Sequence, residues 1–135
     1  MEDISFFRNN VFNKDVMEIL VNIPDNSVDM VYGDPDYNVG INYSGKNYTQ
    51  KWNDYIDWYI NLSKECLRIL KPTGNLFLMN YPKQNSHLRV KYLDDNTYNV
   101  QDYVWIYNTN IGHSKKRWNF YLNIFNAIFT RFYAL

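Results

Sequence analysis

The sequence is poor in the residues that build chemistry unaided. Its 135 residues include one cysteine, two histidines, four prolines and five glycines. Cys66 stands alone in a helix-like segment, which excludes a disulfide framework and a thiolate cluster. His87 and His113 lie far apart in unlike surroundings, so the ligand spacing of a metal site is missing and no metal is expected. The glycines fall at 33, 40, 45, 74 and 112, and no G-x-G occurs anywhere. No cationic, apolar leader with a small-residue cleavage site opens the chain, so the cytoplasm is the expected compartment. The apolar stretch 118–135 is shorter than the roughly 20 residues of a spanning helix. It is also broken by Asn119, Asn123, Asn126 and Arg131, so no membrane partner is expected.

Net charge is absent too: 14 basic residues balance 14 acidic ones. The balance is uneven along the chain, with 7 basic and 11 acidic residues in 1–82 against 7 basic and 3 acidic in 83–135. That asymmetry suits a polyanion-binding second half, or simply an uneven surface. What the chain has in excess is aromatic residues, 19% of the total, with 13 Tyr, 8 Phe and 4 Trp. Many of these rings must lie partly exposed, where they can stack on something flat. The length allows one domain with a modest core.

Along the chain, Val16, Ile19 and Leu20 recur at helical spacing, and Pro24-Asp-Asn-Ser27 turns the backbone. Val28 to Tyr32 reads as a short strand, and 34–50, rich in Asn, Gly, Asp and Tyr, as a long surface loop. From Trp52 to Leu70, Ile56, Tyr59, Ile60, Cys66, Leu67 and Leu70 form one helical face, stopped by Lys71-Pro-Thr-Gly74. Asn75 to Asn80 reads as a buried strand, Lys83 to Leu93 as a weaker helix, and Tyr98 to Asn108 as another strand. In the tail, Asn119, Asn123, Asn126 and Thr130 recur every three or four positions, which favours a helix. Strand and helix alternate as in a parallel α/β sheet, whose ligands bind beyond the carboxyl ends of the strands.

At such an end lies Asp34-Pro-Asp-Tyr-Asn38. Proline has no N–H to satisfy, so its neighbours can aim carbonyl oxygens outward. Asp34 adds a carboxylate acceptor and Tyr37 a rigid ring. Together they suit a planar ligand bearing an amino group, such as a nucleobase. The residue types equally allow a strand-ending turn with an exposed tyrosine.

The segments Asn13-Lys-Asp-Val-Met-Glu-Ile-Leu20, Ile23-Pro-Asp-Asn-Ser-Val-Asp29 and Gly33-Asp-Pro-Asp-Tyr-Asn38 resemble the opening of amino-methylating DNA methyltransferases of restriction–modification type. The hallmark of that family is D/S-P-P-Y/F at a strand end, and the segment order resembles the members in which that motif precedes the cofactor motif. Leu70-Lys-Pro-Thr-Gly-Asn-Leu-Phe-Leu78 and the stretch Val104 to Trp118 keep the family's order, so the likeness runs over about residues 11–118. Asp36 departs from it, standing where the second proline is usual.

The resemblance implies a partial Rossmann-like α/β fold with a mostly parallel sheet, S-adenosylmethionine as cofactor, and double-stranded DNA as partner. It implies methyl transfer to the exocyclic amine of adenine or cytosine. The target base is flipped out of the duplex, stacked on Tyr37, and its amine is held by the Asp34 carboxylate and the Pro35 carbonyl. Asp34 as first residue leans toward adenine. Asp15 matches a cofactor-binding position, Asp34 faces cofactor as well as base, and Asn38, Lys115, Lys116 and Arg117 are candidate DNA contacts. A Phe-x-Gly-x-Gly cofactor loop is absent, so residues 1–118 are expected to be a catalytic half. Residues 119–135 are expected to be a frameshifted tail, or a segment docking on a complementary half or a second copy. Two further readings stay open: a non-catalytic nucleic-acid-binding remnant, and the same chemistry on RNA.

Overall fold

The computed structural model describes residues 4–40, 42–43, 45–47, 49–105 and 125–131. Helix α1 (Val16–Leu20) is short and opens on Asp15, whose carboxylate accepts from the Met17 N–H at 2.8 Å. Strand β1 (Val28–Gly33) follows the Pro24 turn, and the loop after it holds a small hairpin, β2 (Asn42–Tyr43) and β3 (Lys46–Asn47). Helix α2 (Trp52–Ile69) then returns the chain to β4 (Leu70–Asn80), parallel to β1. After α3 (Pro82–Leu88) comes a π-helical turn at Arg89–Leu93, a short α4 (Asp94–Asn96), and β5 (Asn99–Trp105). Strand β6 (Phe125–Arg131) is the last of the described strands.

Of the face read from periodicity, Ile56, Tyr59, Cys66 and Leu67 are buried, Ile60 is partly buried and Leu70 opens β4 instead; Tyr55, Leu62 and Ile69 of α2 join them, with Leu76, Leu78, Leu88 and Leu93, in one core. Strand β4 begins five residues earlier than its apolar run. Between Val28↔Leu70 and Met30↔Asn75 the register shifts, which accommodates Pro72, a residue with no N–H for a ladder. Gly74 lies in this irregularity. A Cβ there would meet Leu70 Cδ2 at 2.9 Å, the Lys71 carbonyl at 3.0 Å and the Asp29 carbonyl at 3.2 Å. Just before this irregularity, in the last turn of α2, Arg68 donates to the carbonyls of Leu20 (2.7 Å) and Ile23 (2.9 Å) and pairs with Glu65 and Asp25. One guanidinium thus ties the close of α1 to the close of α2.

The sheet order is β1-β4-β6-β5. Strand β6 is antiparallel to both neighbours, so β1, β4 and β5 all point the same way with β6 wedged between the last two. The mostly parallel direction expected of the sheet therefore holds for the strands, while only one of the three described pairings is parallel. The tail expectation of a helix is corrected. Phe125 to Arg131 is rich in strand-forming residues, and pairing on both sides satisfies its main chain, which a three-to-four spacing of asparagines cannot outweigh. Among the described residues no helix is long and apolar enough to cross a membrane.

Candidate active site

At the carboxyl end of β1 the backbone presses against β4: a Cβ on Gly33 would meet Leu78 Cδ2 at 2.9 Å. The Asp34–Asn38 loop leaves from this point. Asp34 is exposed and Tyr37 half-buried. The Tyr37 hydroxyl donates to the Asp34 carboxylate, and the Tyr37 ring stands edge-on to Tyr81, with centroids 5.3 Å apart and planes at 73°. Burial, then the hydrogen bond and charge of Asp34, push the Tyr37 phenol well above its ordinary range. It stays a neutral donor at any physiological pH. Asp34, Pro35 and Tyr37 therefore fall in one loop, as expected, and two of them touch.

Asp36 makes good the missing proline by another route. Its carboxylate accepts from the Asn38 N–H at 2.8 Å, a side-chain turn that holds the bend a proline ring would impose. Asn38 sits at φ +56°, a left-handed conformation that asparagine tolerates better than most residues. Its side-chain amide is engaged at both ends with Gln50, donating to the carbonyl at 3.1 Å and accepting from the N–H at 2.7 Å. Asn38 thus closes the loop, and Asp15 lies exposed ahead of α1 as its cap. Lys115, Lys116 and Arg117 lie outside the described residues.

Beneath the loop is a set of buried polar side chains that the sequence reading did not single out. Tyr55, on α2, donates to the Asp36 carbonyl at 2.8 Å and accepts from Asn80 Nδ2 at 2.8 Å. Asn80, at the end of β4, also accepts from the Tyr81 N–H at 2.9 Å. Gln84 donates to the Tyr37 carbonyl at 2.7 Å, and Tyr59 donates to Asn85 at 2.9 Å. A signal existed: Asn80-Tyr-Pro82 ends an apolar strand just as Asp34-Pro35 does, so two adjacent parallel strands finish in polar residues on the same side. Beyond Tyr55 lies Trp52, 6.2 Å away, with Lys83 Nζ 4.0 Å above its ring and His87 edge-on at 5.1 Å. The arrangement offers an acceptor carboxylate, a positioned ring and, over Trp52, the Lys83 ammonium, a set suited to a planar, amino-bearing, phosphate-linked ligand.

Comparison with known proteins identifies the family. Residues 28–130 match the profile of the DNA methylase family. The chain is 38% identical over 79 residues to the type II methyltransferase M.BamHI of Bacillus amyloliquefaciens, covering 58% of this chain and 19% of that protein. It is 31% identical over 120 residues to M.HinfI of Haemophilus influenzae, covering 77% and 33%. Over 70 residues it is 37% identical to the DNA adenine methyltransferase YhdJ of Escherichia coli strain K12, covering 52% and 24%. Among solved structures, the cytosine-N4-specific PvuII DNA methyltransferase superposes with a TM-score of 0.60 at 18% identity, over 87% of this chain and 46% of that one. The chain spans a fifth to a third of the curated relatives named here. The profile match extends over most of its length, strand β6 included, and the chain belongs to the DNA methylase family.

Proposed function

We propose that this chain carries the catalytic half of a site-specific DNA amino-methyltransferase of restriction–modification type, acting on the exocyclic amine of adenine or cytosine. The observation that carries the reading is the meeting of Asp34 and Tyr37 at the carboxyl end of β1. A base flipped from the duplex stacks on Tyr37, worth roughly 1–3 kcal/mol per base. The amine donates one hydrogen to the Asp34 carboxylate and the other to the Pro35 carbonyl. A carboxylate has about four acceptor positions, so the bond from Tyr37 orients Asp34 without saturating it. Two acceptors on one side of the amine favour a pyramidal nitrogen with a freer lone pair, which is positioning and electrostatic work.

S-adenosylmethionine supplies the methyl group when bound. Asp34 and Asp15 each expose a carboxylate whose charge suits the cofactor's amino groups and positive charge, that of Asp15 also capping α1. A glycine cradle for its carboxylate has no counterpart among the five glycines. Asn38, Lys115, Lys116 and Arg117 are the residues we assign to the DNA side, with Tyr37 shared by base and loop.

The test is methyl transfer from labelled cofactor to duplex DNA, with residues 1–131, which keep strand β6, joined to the downstream part of a relative such as M.HinfI. Asp34→Ala should abolish turnover while DNA affinity changes little, since the acceptor matters as the amine becomes nucleophilic. Tyr37→Ala should weaken both retention of the base and rate. Methylation by Asp34→Ala at the parent rate sinks the assignment.

A second reading, a non-catalytic DNA-binding remnant or a subunit needing a partner for the cofactor half, is favoured by one feature. Strand β1 is an edge of the described sheet, and its Met30 and Tyr32 are each 58% exposed. Calorimetry separates the cases: tight cofactor binding by the isolated chain excludes a missing half.

A further inference from the structure

Gln84 lies in the first turn of α3, only 5% exposed, and uses half of its amide. Nε2 donates to the Tyr37 carbonyl at 2.7 Å, whereas Oε1 is buried with no partner among the described residues. For packing alone this is a poor choice, because a methionine would fill similar space without desolvating an acceptor. What the amide alone provides is a hold on the main chain of Tyr37. One residue earlier Tyr55 does the same, its hydroxyl donating to the Asp36 carbonyl at 2.8 Å. Each peptide unit is planar. Fixing the carbonyls of residues 36 and 37 therefore fixes the two planes that flank the Tyr37 Cα, and with them the direction of its Cβ. The ring is then delivered against Tyr81 and its hydroxyl to Asp34.

We propose that Gln84, seconded by Tyr55, is a positioning residue: it aims the Tyr37 ring, and through its hydroxyl the Asp34 carboxylate, at the incoming base. The functional part of this rests on the base-stacking reading above.

The 135-residue chain carrying 3-fluorotyrosine provides the test, with the Tyr37 fluorine resonance assigned by its loss in Tyr37→Phe. Gln84→Met should shift and broaden that resonance while the Tyr92 resonance and the circular dichroism stay as in the parent. Gln84→Glu, which keeps the size of the side chain but turns the donor into an acceptor, should displace it at least as far and serves if the Met variant does not fold. In parallel, a single-stranded oligonucleotide with 2-aminopurine between pyrimidines, where duplex stacking does not already quench the base, should be quenched by the parent chain and several-fold less by either variant. An unmoved Tyr37 resonance in the folded variants refutes the positioning role whatever the oligonucleotide does. Absence of quenching by the parent chain refutes base stacking itself and leaves the resonance to report on Gln84 alone.

Discussion

Replacing Tyr55 by phenylalanine removes one oxygen from the centre of the polar shelf, and its effect can be worked out at two pH values. The residue is 1% exposed, and its hydroxyl both donates to the Asp36 carbonyl and accepts from Asn80, which is 0% exposed. Leaving a buried polar group unpaired costs about 1–3 kcal/mol. The carbonyl lies nearer solvent and falls at the low end, the Asn80 amide in the middle, for a total of about 3 kcal/mol at neutral pH. In a chain of this length that lowers the melting temperature by roughly 10 °C. Burial pushes the Tyr55 phenol up to about 12, with the Asp36 charge adding and the Asn80 bond opposing. In the unfolded chain it titrates near 10, at about 1.4 kcal/mol per unit of difference. A folded value above the unfolded one means the contribution is complete below about pH 10 and is lost as pH rises toward 12. The parent should therefore forfeit nearly 3 kcal/mol from this phenol over that window. The variant has no such phenol, so the stability gap should close. Urea titrations at neutral pH and at intervals up to about pH 11, by which about half of the gap should be gone, measure it, the other buried phenols being common to both proteins. A neutral-pH difference under about 0.5 kcal/mol, the size of an ordinary surface substitution, or a gap constant with pH, refutes the reasoning.

Three other substitutions or reactions have defined outcomes. Arg68→Lys should cost about 1–2 kcal/mol in urea denaturation, because an ammonium cannot reach the Leu20 and Ile23 carbonyls together as the forked guanidinium does; parent-like stability would show that the fork is dispensable. Gly74→Ala should destabilise by about 1–3 kcal/mol, since the new methyl meets two carbonyl oxygens and Leu70; an unchanged midpoint would mean the β4 irregularity yields freely. Cys66, its thiol pushed up to about 12 by burial, should resist an aromatic disulfide reagent at mildly alkaline pH and react only as the protein unfolds; prompt labelling of the native protein would contradict its burial.

Much of this molecule was legible where the pattern is local. The buried face of α2 follows from a periodicity that one helix can express alone, and β1 and β4 from apolar runs bounded by turn residues. Asp34, Pro35 and Tyr37 were found because they adjoin in sequence. Tyr55, Asn80 and Gln84 escaped because each looks like something else: a ring on a helix face, a strand-ending amide, a helical glutamine. Their meaning lies in hydrogen bonds across 19, 25 and 47 positions, which no local pattern encodes. Strand β6 was misread for a related reason, since the two strands flanking it decide its conformation. Asp36 stood out only as a departure from the usual proline because its carboxylate's partner, the Asn38 N–H, appears only once the turn has formed.

The wedged position of β6 also dictates an order of assembly. Strands β1 and β4 can zip together as soon as α2 has folded between them, but β5 is hydrogen-bonded to β6 alone in the described sheet. While the chain is being made, β5 is finished and must wait, its Tyr103 and Val104 exposed even in the completed fold, until residues 125–131 arrive. Their arrival closes two ladders at once, because every residue from Asn126 to Arg131 pairs with β4 on one side and β5 on the other. Such non-local closure is slow and leaves unpaired strand edges open to other chains in the interval. Of the described strands, the last to be synthesised is thus a keystone, and the half-built sheet before it is the species a chaperone would meet.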